Sequence, residues 1–130
     1  MGVTMNEQTV QLDLTLDPVA LTAALVDIPS RSHEETAIAD ALESGLVRLA
    51  LPGVTVDRRG NTVISRTHRG LPTRVILAGH IDTVPPADNL PSRRGPDTAG
   101  SDCIHGLGSV DMKSGDAVYI HAFVTLAQSG

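Results

Sequence analysis

The sequence predicts an α/β fold in which a mixed, mostly parallel β-sheet is flanked by helices. Three observations lead there. Amphipathic repeats at helical spacing alternate with short β-branched stretches, a continuous apolar run occupies residues 74–79, and 130 residues hold one core but not two full domains. The composition, 41% hydrophobic and 19% charged, is that of an ordinary globular chain.

Residues 1–14 form a polar lead-in. Asp17 then supplies an N-cap with Pro18 at the first helical position, and Leu21, Ala24, Leu25 and Ile28 repeat on one face until Pro29. Ser32 followed three residues later by Glu35 has the spacing of a capping box, in which hydroxyl and carboxylate each satisfy an orphaned N–H. Ile38, Leu42, Gly45, Leu46 and Leu49 carry that second helix towards Pro52-Gly53.

Val54-Thr55-Val56 and Thr62-Val63-Ile64-Ser65 flank the turn residues Gly60-Asn61 and predict a hairpin or adjacent strands. Arg74-Val75-Ile76-Leu77-Ala78-Gly79 reads as a central strand buried on both faces. Residues 83–109 are dense in Pro, Gly, Asp and Ser, and a loop of that length is more often functional than a simple connector. From Gly115 to Leu126 a helix is expected with apolar residues on most sides, so it requires covering by a partner or by further chain.

Ten basic against fifteen acidic residues give a net charge of −5, which repels a phosphate backbone and excludes a basic nucleic-acid surface. No apolar run approaches the roughly 18 residues of a membrane span, and the N-terminus lacks the pattern of a signal peptide. A single cysteine, Cys103, offers no internal disulfide. The expectation is a cytoplasmic protein that engages neither nucleic acid nor membrane.

The candidate chemistry begins at His80 and Asp82. Alternation at a strand end puts both on one side, where a neutral imidazole can bind zinc while the carboxylate accepts the proton of its other nitrogen. From that pattern alone, a surface His–Asp pair is the simpler reading. Asp111 follows Gly106-Leu107-Gly108 and precedes the last helix, so it reads as an N-cap or as a ligand at the mouth of the sheet.

Gly79-His80-Ile81-Asp82-Thr83-Val84-Pro85 followed by Gly106-Leu107-Gly108-Ser109-Val110-Asp111-Met112-Lys113 resembles the two signature blocks of the M20 family of dinuclear zinc peptidases and deacylases. Ile28-Pro29-Ser30-Arg31-Ser32 and Asn89-Leu90-Pro91-Ser92-Arg93 look most like the desuccinylase branch of that family. The resemblance implies a zinc-peptidase catalytic domain and two divalent metal ions, zinc with cobalt as the alternative. His80 would bind one metal, Asp111 would bridge both, and Asp82 would orient His80. It also implies a cis peptide at Asp111-Met112, a small acylated diamino acid as substrate, and homodimers among full-length members.

It covers nearly all of the chain after the first dozen residues but less than half of the family's usual length. Residues 1–130 therefore read as the N-terminal portion of the catalytic domain, without the general base, the remaining ligands or the dimerisation domain, and inactive alone. The alternatives are another M20 deacylase or peptidase, such as one acting on acetylornithine, and a non-catalytic association domain on the same scaffold.

Other signals are weaker. His33-Glu34-Glu35-Thr36-Ala37 starts like a zinc-protease helix but has Ala37 where the second histidine belongs, and neither nucleotide-loop pattern is complete around residues 106–114. Cys103 with His105 reads as an ordinary loop pair rather than a nucleophile and base. His68, His121, Arg93 and Arg94 receive no site role.

Overall fold

A computed structural model describes residues 10–129. Helix α1 spans Pro18–Val26, and the Asp17 carboxylate caps it by accepting from the N–H groups of Val19 and Ala20 at 2.9 and 3.0 Å. Its inward residues Leu21, Leu25 and Val26 are fully buried. Helix α2, Thr36–Leu49, ends at Ala50 in the left-handed conformation and buries Ile38, Ala41, Leu42 and Leu46.

Strands β1, Val54–Arg59, and β2, Thr62–Thr67, pair antiparallel with Arg59 opposite Thr62, which leaves Gly60-Asn61 as a two-residue turn. This hairpin packs on α2. A second antiparallel hairpin joins β3, Arg93–Pro96, to β4, Asp102–His105. A kinked turn at Ser109–Lys113 leads into helix α3, Ser114–Gln128, which lies against α1. The main core gathers residues from α1, α2 and α3 together with Leu12 and Leu14. A smaller cluster forms around Leu51, Val124 and Ala127.

The mixed helix and strand content is present, but the mostly parallel sheet is not. Among the described residues there are only two two-stranded antiparallel sheets, with one isolated parallel bridge between Arg31 and Thr83. Residues 74–79 form no strand, and Val75 and Ile76 are 78% and 79% exposed. The apolar run encodes a preference for burial, whereas a strand also requires a neighbouring backbone to complete its ladder. No described residue supplies one.

Three further expectations change. The Ser32/Glu35 capping box does not form, because α2 starts one turn later with Glu35 at its N-cap and no side-chain cap bond. Glu35 instead accepts from the N–H of His33. The segment 83–109 is not all loop, since it contains the β3–β4 hairpin. Finally, residues 1–9 of the expected lead-in lie outside the described residues, while Leu12 and Leu14 are each only 2% exposed and belong to the core. Helix α3 buries Ala117, Val124 and Ala127 but leaves Val118 and Leu126 exposed, in keeping with its all-round apolar sequence. No helix among the described residues is long and apolar enough to cross a membrane.

Candidate functional site

His80, Asp82 and Thr83 are held from the chain segment between α1 and α2. The Thr83 N–H donates to Ser30 O and the Ser32 N–H donates to Thr83 O, each at 2.9 Å, forming the parallel bridge. The Ser30 hydroxyl adds a bond to Ile81 O at 2.6 Å. Four consecutive residues, 80–83, therefore have a fixed path although the six before them have no ladder.

Asp111 arrives from the other side. Gly108 adopts φ +80°, a left-handed conformation that a side chain resists, and its carbonyl accepts from the Lys113 N–H. Within the turn, Asp111 and Met112 leave helical geometry and their shared peptide is cis. Lys113 is 1% exposed, and its ammonium donates to Leu25 O and Ile28 O, both at 2.9 Å. That buried cation ties the turn to the end of α1. Burial lowers its pKa to about 8 against the attraction of Asp116 and Asp27.

These supports bring His80 Nε2 to 2.9 Å from Asp111 Oδ1 and His80 Nδ1 to 3.1 Å from Asp82 Oδ1. The three residues share an open depression of about 370 Å³ with Ser32, Thr83 and Gly108. The His80 side chain is 48% exposed and that of Asp111 85%, so the open side faces solvent. Partial burial pulls the His80 pKa down, but the Asp111 hydrogen bond, the Asp82 carbonyl and the two carboxylate charges outweigh it and leave it raised. The Ser32 hydroxyl is the main influence holding the Asp82 carboxyl below the usual range, with partial burial opposing and His80 assisting.

Two donor atoms that each bind one zinc at about 2.0–2.2 Å lie roughly 3 Å apart, so the spacing of His80 Nε2 and Asp111 Oδ1 fits a shared cation. The set is incomplete by itself. Among the described residues no three His, Cys, Asp or Glu side chains cluster to hold a metal.

Two residues near the site carried no distinctive local signal. Ser32 has the spacing of a helix cap, yet its Oγ donates to Asp82 Oδ2. Asp116, in the first turn of α3, is 7% exposed, and burial raises its pKa to about 6 against the pull of His80 and Lys113. Its Oδ1 packs against the Gly79 backbone so closely that a methyl group at residue 79 would overlap it, and Oδ2 has no partner among the described residues. An acid inside an otherwise apolar helical stretch was the available hint.

The remaining candidates have ordinary roles. Arg94 pairs with Asp102 at 2.7 Å, His68 contacts the Thr55 hydroxyl, and His105 Nε2 lies 3.3 Å from Gly95 O. Burial pushes the Cys103 thiol up, opposite to what an activated nucleophile requires.

The model for peptidase family M20/M25/M40 matches residues 76–130, a span that contains His80, Asp82 and Asp111. Over 118 residues the chain is 58% identical to the succinyl-diaminopimelate desuccinylase of Corynebacterium glutamicum, covering 91% of this chain and 31% of that protein. The protein of that name from Cereibacter sphaeroides is 34% identical over 119 residues, 88% of this chain and 31% of its own length. One from Sphingopyxis alaskensis is 28% identical over 113 residues, 82% of this chain and 30% of its own. The chain thus spans about a third of the length of the curated relatives it matches.

Proposed function

We propose that the chain, which matches the model of peptidase family M20/M25/M40 over residues 76–130, belongs to that family and forms the N-terminal part of the catalytic domain of a metal-dependent amide hydrolase, a succinyl-diaminopimelate desuccinylase. The reaction is hydrolysis of N-succinyl-LL-2,6-diaminopimelate to succinate and LL-2,6-diaminopimelate, a step towards lysine and peptidoglycan precursors. A cytoplasmic location and a homodimeric whole enzyme belong to the same proposal. The observation that carries it is the approach of His80 Nε2 to Asp111 Oδ1 at 2.9 Å, with Asp82 behind the ring.

His80 would contribute Nε2 as one ligand, and Asp111 would contribute its carboxylate to two divalent cations, zinc or cobalt. When bound, such cations supply Lewis acidity towards the amide carbonyl and a water of lowered pKa. The protein's own work is preparatory. Asp82 flanks Nδ1 with its backbone carbonyl at 3.3 Å and its carboxylate Oδ1 at 3.1 Å, so the ring proton sits on Nδ1, Nε2 is left as the ligand nitrogen, and the neighbouring charge makes it more basic. The exposed Asp111 carboxylate provides negative charge on the side where further ligands can approach. The general base and the remaining ligands would come from residues other than those described.

Succinate release by the full-length protein, assayed with zinc or cobalt, tests the reading. His80→Ala and Asp111→Ala should each lower the rate by about a thousandfold, the loss expected when several kcal/mol of metal-derived stabilisation disappears. Wild-type rates in both variants would overturn it. Residues 1–130 alone should be slower by at least about a hundredfold, since a positioned base typically contributes 10²- to 10⁴-fold.

A further inference from the structure

Asp82 has two carboxylate oxygens with different partners. Oδ1 lies 3.1 Å from His80 Nδ1, which is also 3.3 Å from the Asp82 backbone carbonyl, and Oδ2 accepts from the Ser32 hydroxyl at 2.5 Å. Neither Asp82 nor His80 is deeply buried, their side chains being 36% and 48% exposed, so packing alone does not fix the carboxylate's rotation. A carboxylate free to turn about its terminal torsion exposes its oxygens to water, and the ring it faces loses its fixed tautomer. Ser32 removes that freedom.

The backbone makes this assignment separable from folding. The Ser32 N–H bond to Thr83 O and the Thr83 N–H bond to Ser30 O, both 2.9 Å, hold the segment in register without the hydroxyl. Among the described residues the hydroxyl's only other hydrogen bond is a long one, 3.3 Å to Thr83 O. It takes no part in capping α2, whose N-cap is Glu35. Its main partner is thus the carboxylate that orients His80.

We propose that Ser32 is a positioning residue of this site: its hydroxyl pins Asp82 Oδ2 so that Oδ1 stays on His80 Nδ1 and His80 Nε2 remains aimed at Asp111. The chain of contacts runs from Ser32 through Asp82 and His80 to Asp111, across residues up to 79 positions apart in sequence order. The proposal rests on the metal-hydrolase reading above, and Ser32 acts within it only through Asp82.

The test uses the full-length protein in wild-type, Ser32→Ala, Ser32→Thr and His80→Ala forms. Zinc affinity is measured by chelator competition, kcat and KM by succinate release, and the tautomer of neutral His80 by ¹⁵N NMR of the metal-free protein at alkaline pH. Losing an outer partner of a metal-bound histidine typically costs 10- to 100-fold. Ser32→Ala should therefore show about a tenfold loss of zinc affinity and of kcat with KM little changed, a wild-type unfolding temperature, and mixed His80 tautomers. Ser32→Thr, which keeps the hydroxyl, should restore all three. Wild-type affinity and a single tautomer in Ser32→Ala would overturn the proposal, as would equal losses in the Ala and Thr variants. His80→Ala separates the two claims. If it binds zinc and turns over normally, the site reading itself fails; if it is inactive while Ser32→Ala is unaffected, only the role of Ser32 fails.

Discussion

Residues 80–83 and residues 74–79 are consecutive in the chain and opposite in how they are held. The first group is fixed by backbone bonds from Ser30 and Ser32 and by contacts to Asp111. The second contains the most apolar run in this half of the sequence, yet Val75 and Ile76 stand about four-fifths exposed. Hydrophobicity therefore does not locate the site. Polar contacts from distant segments do, and they act where the sheet ladder is lacking.

Gly79 sits at the junction and gives the largest expected break in this contrast. A methyl group there would meet the Asp116 carboxylate and crowd Met112, so Gly79→Ala should destabilise this chain by about 1–3 kcal/mol, the usual cost of overpacking. Denaturant unfolding reads it. An unchanged midpoint would mean that Asp116 and Met112 do not pack tightly against residue 79.

The next effect is pH-dependent. With a folded pKa of about 6 and an unfolded value near 4, Asp116 binds its proton more tightly in the native state. Its contribution to stability is thus full below about pH 4 and is lost as the pH rises to about 6. Asp116→Asn should remove that part of the slope in a stability-against-pH series, leaving the other carboxylates to act. A variant whose slope matches the wild type would show that Asp116 does not titrate in this window.

The smallest effect belongs to the exposed run. Val75→Thr and Ile76→Thr should each shift the unfolding free energy of this chain by less than about 0.5 kcal/mol, as surface changes do. Losses of about 2 kcal/mol or more would place these residues in a core and restore the buried strand that the sequence suggested.

Local signals were legible where cause and effect lie within a few residues. Asp17-Pro18 predicts the start of α1, and β-branched residues around Gly60-Asn61 predict the first hairpin, because capping and turn geometry are decided by neighbours. Ser32 shows the opposite case. Its spacing to Glu35 is right for a capping box, but its hydroxyl is taken by Asp82, fifty residues away. The β3–β4 hairpin was hidden by its Pro- and Gly-rich composition. The pairing of Arg94 with Asp102 across the strands does not show as an apolar alternation.

Two motifs and their order pick out His80, Asp82 and Asp111 as candidate site residues, and the structure brings all three together. Their support was less visible. Lys113 stands beside Asp111 in the motif, but its burial beneath α1 depends on carbonyls at Leu25 and Ile28. No pattern of spacing reports which backbone oxygens a lysine will reach.

The decisive measurement is a zinc-bound crystal structure of the full-length protein. His80 Nε2 and an Asp111 oxygen should lie on the same cation at about 2.0–2.2 Å. A structure in which the zinc ions bind elsewhere, with these two side chains pointing apart, would contradict it.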